Sequence, residues 1–235
     1  MPTKTTATKH LHFNIIMMKK FLIALIALPF TLLAQQDAQA TKILDALSAK
    51  HKAYKTVAVD FDLLNDDATN NVHDKKSGTV KMKGDKYILN LFGVIKKCNG
   101  KNVWSIKKDD KQVDKDVFND KSNGGLKINE IFTIYKKGYK YKYMGEKTLA
   151  GKVYLSIDLY PEQGNSSQYK RITLFIDKKS KELYKLEFAE KRSSRITSIV
   201  VKKLTPNANF ADTDFEYLEK RDCPTCELND VTNAE

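Results

Sequence analysis

The chain has 235 residues, with 41 basic and 29 acidic side chains, a formal charge of +12 and 41% hydrophobic residues. That is enough apolar material for one good core and too much for intrinsic disorder. Only two of the four histidines, His51 and His73, lie beyond residue 34, one late in a helical stretch and one in a polar loop, and neither sits in a zinc or triad motif.

Residues 18–34 open with Met18-Lys19-Lys20, continue through the apolar run Phe21 to Phe30, and end in Thr31-Leu32-Leu33-Ala34. A basic start, an apolar run of about a dozen residues and a small residue at the end describe a secretory signal peptide. The run is short of the ~20 apolar residues a membrane span requires. Pro29 breaks the apolar helix ahead of a cut after Ala34, which starts the mature chain at Gln35; Ala38-Gln39-Ala40 offers a second cut, with Thr41 as the first residue. Residues 1–17 read as an upstream extension from a start codon that is not used, or as a long basic n-region. Residues 1–34 hold four lysines and no acids, so the cut after Ala34 lowers the formal charge from +12 to +8. Such a surplus either favours anionic surfaces, a phospholipid face or an acidic protein for an exported chain, or serves solubility alone; nucleic acid lies in another compartment.

An amphipathic helix is predicted over Ala38 to Tyr54, with Ile43, Leu44, Leu47 and Tyr54 toward one face. The period then changes from 3.6 to 2. Val57, Val59, Phe61 and Leu63 alternate with polar residues, as in a half-buried strand. Gly84-Asp85 joins a strand holding Val80 and Met82 to one holding Tyr87, Leu89 and Leu91. Asn99-Gly100 marks a hairpin between Val94–Cys98 and Asn102–Ile106, because both positions tolerate positive φ. A weaker strand follows near Val113–Val117. Ile128, Ile131, Phe132 and Tyr135, at i, i+3, i+4 and i+7, predict a second short helix stopped by Gly138. Strands then resume through Tyr139–Tyr143, Val153–Leu159, Ile172–Ile176, Leu183–Glu190 and Ile196–Lys203. The end, from Pro206, reads as polar and loosely held except around Phe210 and Phe215.

About eleven strands in hairpin order, with one apolar face, cannot stay flat; sheets of that size curl or split. The fold class is therefore mainly β with two covering helices. The antiparallel sheet curls into an open, incomplete barrel with a helical lid. A two-sheet sandwich with a filled core is the other solution. One domain over residues 35–218 is expected, with 219–235 as a polar tail.

No Gly-x-Ser-x-Gly, His-Glu-x-x-His or phosphate-cradling loop occurs. Neither a catalytic set, a metal site nor a cofactor is expected. Cys223-Pro224-Thr225-Cys226 has the spacing of a thiol–disulfide exchange motif, but in redox enzymes that motif opens a helix, and here only nine residues follow. A local disulfide between Cys223 and Cys226 is the simpler reading. Tyr135, Tyr139, Tyr141 and Tyr143 interleave with lysines, but a period of 2 sends the two types to opposite faces. The tyrosines then line the curled sheet.

The helix Ile43–Tyr54 runs into Val57–Phe61. Beyond it come Lys83-Gly84-Asp85-Lys86-Tyr87, Cys98-Asn99-Gly100-Lys101-x-Val103-Trp104, Ile131-Phe132-Thr133-Ile134-Tyr135 and the Pro206…Phe210…Phe215 stretch. Their order resembles the outer-membrane lipoprotein carrier family, LolA, in its Bacteroidetes form, over residues 40–218. The resemblance implies a periplasmic chaperone that holds lipoprotein acyl chains in an apolar cavity. It implies receipt from an inner-membrane ABC lipoprotein-releasing complex and delivery to an outer-membrane acceptor or the membrane surface, by a monomer.

The implied cavity residues are Phe61, Met82, Tyr87, Leu89, Leu91 and Trp104 from the first half. Ile128, Ile131, Phe132 and Tyr135 come from the lid, and Tyr141, Leu155 and Ile157 from the second half. Proteobacterial members carry a cargo-handling arginine beside the turn between strands two and three, and Lys83 occupies the matching place. The Cys-x-x-Cys tail falls outside the family pattern. An exported thiol–disulfide protein and an envelope structural protein with a solid core are the competing readings.

Overall fold

The computed structural model describes residues 37–118, 132–136, 138–164 and 167–232. The signal segment, Ile128 and Ile131 lie outside the described residues.

Helix α1 (Ala38–Lys52) begins where Asp37 accepts hydrogen bonds from the Gln39 and Ala40 N–H groups, satisfying donors that a helix start leaves unpaired. The second Asp37 oxygen accepts from the Tyr143 N–H at 2.8 Å, which ties the helix start to a distant strand. Those backbone donors, Ala40 first, hold the Asp37 carboxyl below the usual carboxylate range. Leu44 and Leu47 are fully buried, each contributing about 1.5–3 kcal/mol.

Beyond α1 come β1 (Val57–Asp67), β2 (Val72–Lys83), β3 (Lys86–Leu91), β4 (Val94–Cys98), β5 (Asn102–Lys107), β6 (Gln112–Val117), β7 (Tyr139–Leu149), β8 (Lys152–Pro161), β9 (Tyr169–Asp177), β10 (Leu183–Glu190) and β11 (Ile196–Pro206). They form one sheet with β12 (Glu227–Asp230), in the order β12-β6-β5-β4-β3-β2-β1-β11-β10-β9-β8-β7. The sheet curls and does not close. Eleven of its strands are those expected, in hairpin order except that β6 and β7 do not pair and β1 pairs β11; the twelfth is an addition, laid parallel on β6, where it covers backbone that would otherwise be an open edge. The Asn99-Gly100 hairpin forms with only Gly100 at positive φ (90°). Asn99 instead accepts the Lys101 and Asn102 N–H groups through its side chain.

Register assigns the faces. The row Tyr143–Ile157–Leu174–Leu186–Ile199–Leu63 runs along the inner side from β7 to β1. Helix α1 covers the β7–β10 part of this side, packing Ala40, Leu44 and Leu47 against Ile157, Leu174 and their neighbours.

Farther along, the sheet reverses its polarity. The inner row Val80–Leu89–Lys96–Ser105–Asp114 passes from apolar to polar. The outer row Thr79–Asn90–Ile95–Ile106–Val113 passes the other way. The strip β4–β6 thus needs cover on its outer side, and the C-terminal segment supplies it. Tyr217, Cys223 and Cys226 pack there on Trp104, Ile106 and Val113. The short helix α2 (Glu219–Asp222) sits above, and Lys97 donates to both Asp222 oxygens at 2.8 and 2.9 Å. The end of the chain is therefore packed, correcting the expectation that it is loosely held.

Strands β6 and β7 are consecutive in the chain yet lie toward opposite edges of the sheet, so a segment crossing from one edge to the other joins them. The described part, Phe132–Lys136, lies on the inner side. Phe132 touches both the core beneath α1 and the cluster on β1–β3. Its expected α-helix is not seen at Phe132–Tyr135: a turn leads into a single 3-10 turn, Ile134–Lys136, and Gly138 follows at φ 72°. Tyr135 is buried, donating to Asp45 of α1 at 2.6 Å. Among the described residues no helix is long and apolar enough to cross a membrane.

Candidate functional site

Helix α1 leaves the β1–β3 part of the inner side uncovered, and a cavity of about 260 Å³ lies there. Its walls are Val59, Phe61 and Leu63 of β1, Val80 and Met82 of β2, and Leu89 and Leu91 of β3. Opposite stand Leu183, Leu186 and Phe188 of β10, with Ile199, Val201 and Leu204 of β11 and Phe132 of the crossing segment. Tyr169 of β9 also lines it. In sheet order β3 and β9 are five steps apart, about 24 Å in a flat sheet at ~4.8 Å per strand. Only strong curling brings both to one cavity.

Among the described residues the lining carries no ionisable group except the Tyr169 phenol, whose oxygen accepts from Gln168 Nε2 at 2.7 Å. Thr197, the other polar residue, donates to Asn65 at 3.0 Å. Such a surface is almost wholly apolar. It can exclude water from an apolar ligand. Gly78 shapes it: a Cβ there would meet the tip of the Phe61 ring at 2.6 Å, so glycine lets that ring lie against the sheet.

A second groove of about 180 Å³ adjoins the first, sharing Met82 and Phe132 with it. Its other walls include Ser48, His51 and Tyr54 from the end of α1 and just beyond, with Lys52 and Lys55. Phe132 stands between the two spaces, stacked on the His51 imidazole with ring centroids 3.5 Å apart. Glu182, just ahead of β10, gathers the end of α1. It pairs with Lys50 at 2.7 Å, accepts from the Tyr54 hydroxyl at 2.5 Å and faces His51 Nε2 at 3.1 Å. Burial pushes the His51 imidazole down to about 4 despite that carboxylate, and pushes the Tyr54 phenol up to about 12.

Of the residues expected to hold cargo, Phe61, Met82, Leu89, Leu91 and Phe132 line the cavity. Tyr87 packs beside it in the same cluster. Tyr135, Tyr141, Leu155 and Ile157 belong to the core under α1 and are brought together there, a layer away. Trp104 is not brought to the site. Register pairs it with Lys97 and Lys115, and Val103 takes the inner side in its place, opposite Cys98 and Tyr87. Lys83 likewise stays outside. Its ammonium pairs with Asp212 at 2.9 Å and donates to the Phe210 carbonyl, and Lys86 joins the same carboxylate.

Cys223 and Cys226 are joined as a disulfide, with Cys223 buried against the outer side of the sheet. The β10 and β11 walls were missed as site residues. Their signal was partial: Leu186 and Phe188 alternate with Lys185 and Glu187, but a register shift puts Leu183 out of phase, and Ile199-Val200-Val201 is an unbroken apolar run.

No family model matches the chain, and no curated protein does. The chain is similar in structure to a LolA superfamily protein from Nitrosomonas europaea (TM-score 0.40, 13% identity, covering 78% of this chain and 99% of that one). It is also similar to LprF from Mycobacterium bovis (TM-score 0.47, 10% identity, 76% and 98%). An uncharacterized conserved protein from Thermus thermophilus has a TM-score of 0.54 at 11% identity, covering 82% of this chain and 99% of that one. At that identity the likeness is one of fold: a curled, open, strand-dominated sheet over most of the chain's length.

Proposed function

We propose that this protein is a non-catalytic periplasmic carrier that shelters the acyl chains of lipoproteins on their way from the inner to the outer membrane. The observation that carries the reading is the apolar cavity on the inner side of the curled sheet, left uncovered by α1 and bordered by Phe132. Each CH₂ moved out of water is worth about 0.8 kcal/mol, so a multiply acylated protein does not cross an aqueous space unaided. At about 260 Å³ the cavity sits just below the ~300–1,000 Å³ of ordinary ligand sites. A long chain therefore enters by displacing Phe132 and enlarging the space. The partners are an inner-membrane ABC releasing complex as donor and an outer-membrane acceptor or the membrane surface as recipient.

The thiol–disulfide reading loses support because Cys223 is 4% exposed and covered by the sheet, whereas exchange requires access to the sulfur. Titration with a fluorescent fatty-acid probe tests the carrier reading. Saturable binding that long-chain acyl compounds reverse is expected; absence of binding returns the protein to the solid-core structural class.

A further inference from the structure

The groove behind Phe132 contains a feature that an acyl cavity alone does not use. His51 has a side chain only 4% exposed, and its Nδ1 has no hydrogen-bond partner among the described residues. A buried polar atom left unpaired is disfavoured; His51 lines the groove, and displacement of the Phe132 ring stacked on it opens that atom to a ligand. The chemistry of that ligand follows from the tautomer. Nε2 lies 3.1 Å from Glu182 Oε2, too bent for a full hydrogen bond, yet close enough for the carboxylate to require the proton on that nitrogen. Nδ1 is then a bare lone pair, an acceptor.

We propose that this groove is a polar subsite for the head of the acyl ligand, in which His51 Nδ1 accepts a hydrogen bond from an N–H or O–H group close to the start of the chain. The proposal rests on the carrier reading and adds selectivity to it. The two spaces meet at Phe132 and Met82, so one amphiphile reaches both, its chain in the cavity and its head beside His51. Amide-linked chains and acylglycerols with a free hydroxyl carry the donor that this nitrogen lacks. A simple ester carries none. Burial holds the imidazole neutral at ordinary pH, which keeps the acceptor available.

The test is competition against the fluorescent fatty-acid probe on the purified protein by N-methylpalmitamide, monopalmitoylglycerol and methyl palmitate. A neutral hydrogen bond predicts a roughly threefold to tenfold advantage for the donor-bearing compounds. His51→Phe, which preserves a ring against Phe132, abolishes that advantage. His51→Asn, whose amide oxygen takes the Nδ1 place, restores it in part. Circular dichroism on each variant establishes folding, and the wild-type ratio decides the matter by itself if His51→Phe does not fold. An advantage for the amide alone identifies an N-acyl group as the source, and one for the glycerol alone a lipid hydroxyl. Equal competition by all three, or a ratio unchanged in His51→Phe, overturns the subsite and leaves the carrier. Failure of the probe to bind at all overturns both.

Discussion

Phe132 lies flat on His51, with ring planes 10° apart and centroids 3.5 Å apart, and it is the one described residue of the crossing segment that lines the cavity. It is half-buried and touches both apolar clusters, which is the position of a gate. In a filled core, Phe→Ala costs about 3–5 kcal/mol. Here Phe132→Ala should cost about 0.8–1.5 kcal/mol, half of a full phenylalanine burial, while changing probe affinity clearly. Phe132→Glu should block entry, because an unpaired charge in an apolar mouth is heavily disfavoured. Denaturant and probe titrations on the same proteins check both; a large stability loss with unchanged probe binding would remove Phe132 from the gate.

The His51 site has a pH signature whose sign can be worked out. Its imidazole is pushed down to about 4 in the folded protein, from about 6.5 in an unfolded chain. Between those values the unfolded chain takes up a proton that the folded one refuses, so stability falls as pH drops from about 6.5 toward 4. Lys50 and Glu182 flank the imidazole, and carboxylates elsewhere also titrate at the lower end. The difference between wild type and His51→Asn isolates the histidine. Thermal midpoints across that window should converge at low pH; parallel curves would show that His51 is not buried neutral.

The C-terminal cover is held by a buried ion pair, Lys97 with Asp222. Burial pushes the Asp222 carboxyl up, but Arg221, the Leu218 N–H and Lys97 outweigh it and hold it at about 2. Lys97 itself is pushed down by burial, with Asp222 resisting, so the pair owes its hold mainly to the carboxylate. Asp222→Ala strands the ammonium, at a cost of about 3 kcal/mol. The sequence contains a single tryptophan, and it lies beneath this cover. A red shift of Trp104 emission should therefore accompany the loss, and an unshifted spectrum would mean that the cover stays docked without the pair. In the wild type the carboxylate's contribution is complete above about pH 4 and falls away as pH drops toward 2.

The disulfide belongs to the same cover and not to the cavity. The double change Cys223→Ser with Cys226→Ser should cost at most about 2 kcal/mol, since so short a loop restrains few unfolded conformations. It should shift Trp104 emission and leave probe affinity unchanged. Weakened probe binding would show that the outer side of β4–β6 communicates with the inner side of β1–β3.

Most strands were legible from apolar residues at every second position, as in Val57, Val59, Phe61 and Leu63. The gate aromatic Phe132 was legible from its apolar spacing, although that spacing matched a helix and the described residues form a turn. Faces were harder. Trp104 reads as an inward residue only if every strand keeps the same side apolar, and the reversal between Leu89 and Lys96 breaks that rule. Alternation within a strand does not carry the register that decides which side is which. The parallel strand Glu227–Asp230 has no apolar pattern to betray it; each of its residues is exposed, and it exists because β6 offers an edge.

Gly78 offers the most direct control of cavity size. It faces Phe61 across the β1–β2 ladder, and a Cβ there would meet the Phe61 ring at 2.6 Å, with the Asn90 carbonyl oxygen and Leu91 Cδ1 both at 3.0 Å. The carbonyl is backbone and cannot yield, so the ring must swing away from the sheet into the cavity that it lines. Gly78→Ala should therefore cost about 1–3 kcal/mol of stability, as overpacking does, and weaken long-chain probes more than short ones. Gly78→Ala combined with Phe61→Leu removes the ring clash and leaves the milder 3.0 Å approach to Asn90, so probe affinity should return toward wild type even though a large side chain has been lost. Rescue by a truncating second change is the result that a general packing defect does not produce. If the double variant binds more weakly than Gly78→Ala alone, Phe61 is a cargo contact in its own right, and the glycine controls stability and not cavity volume.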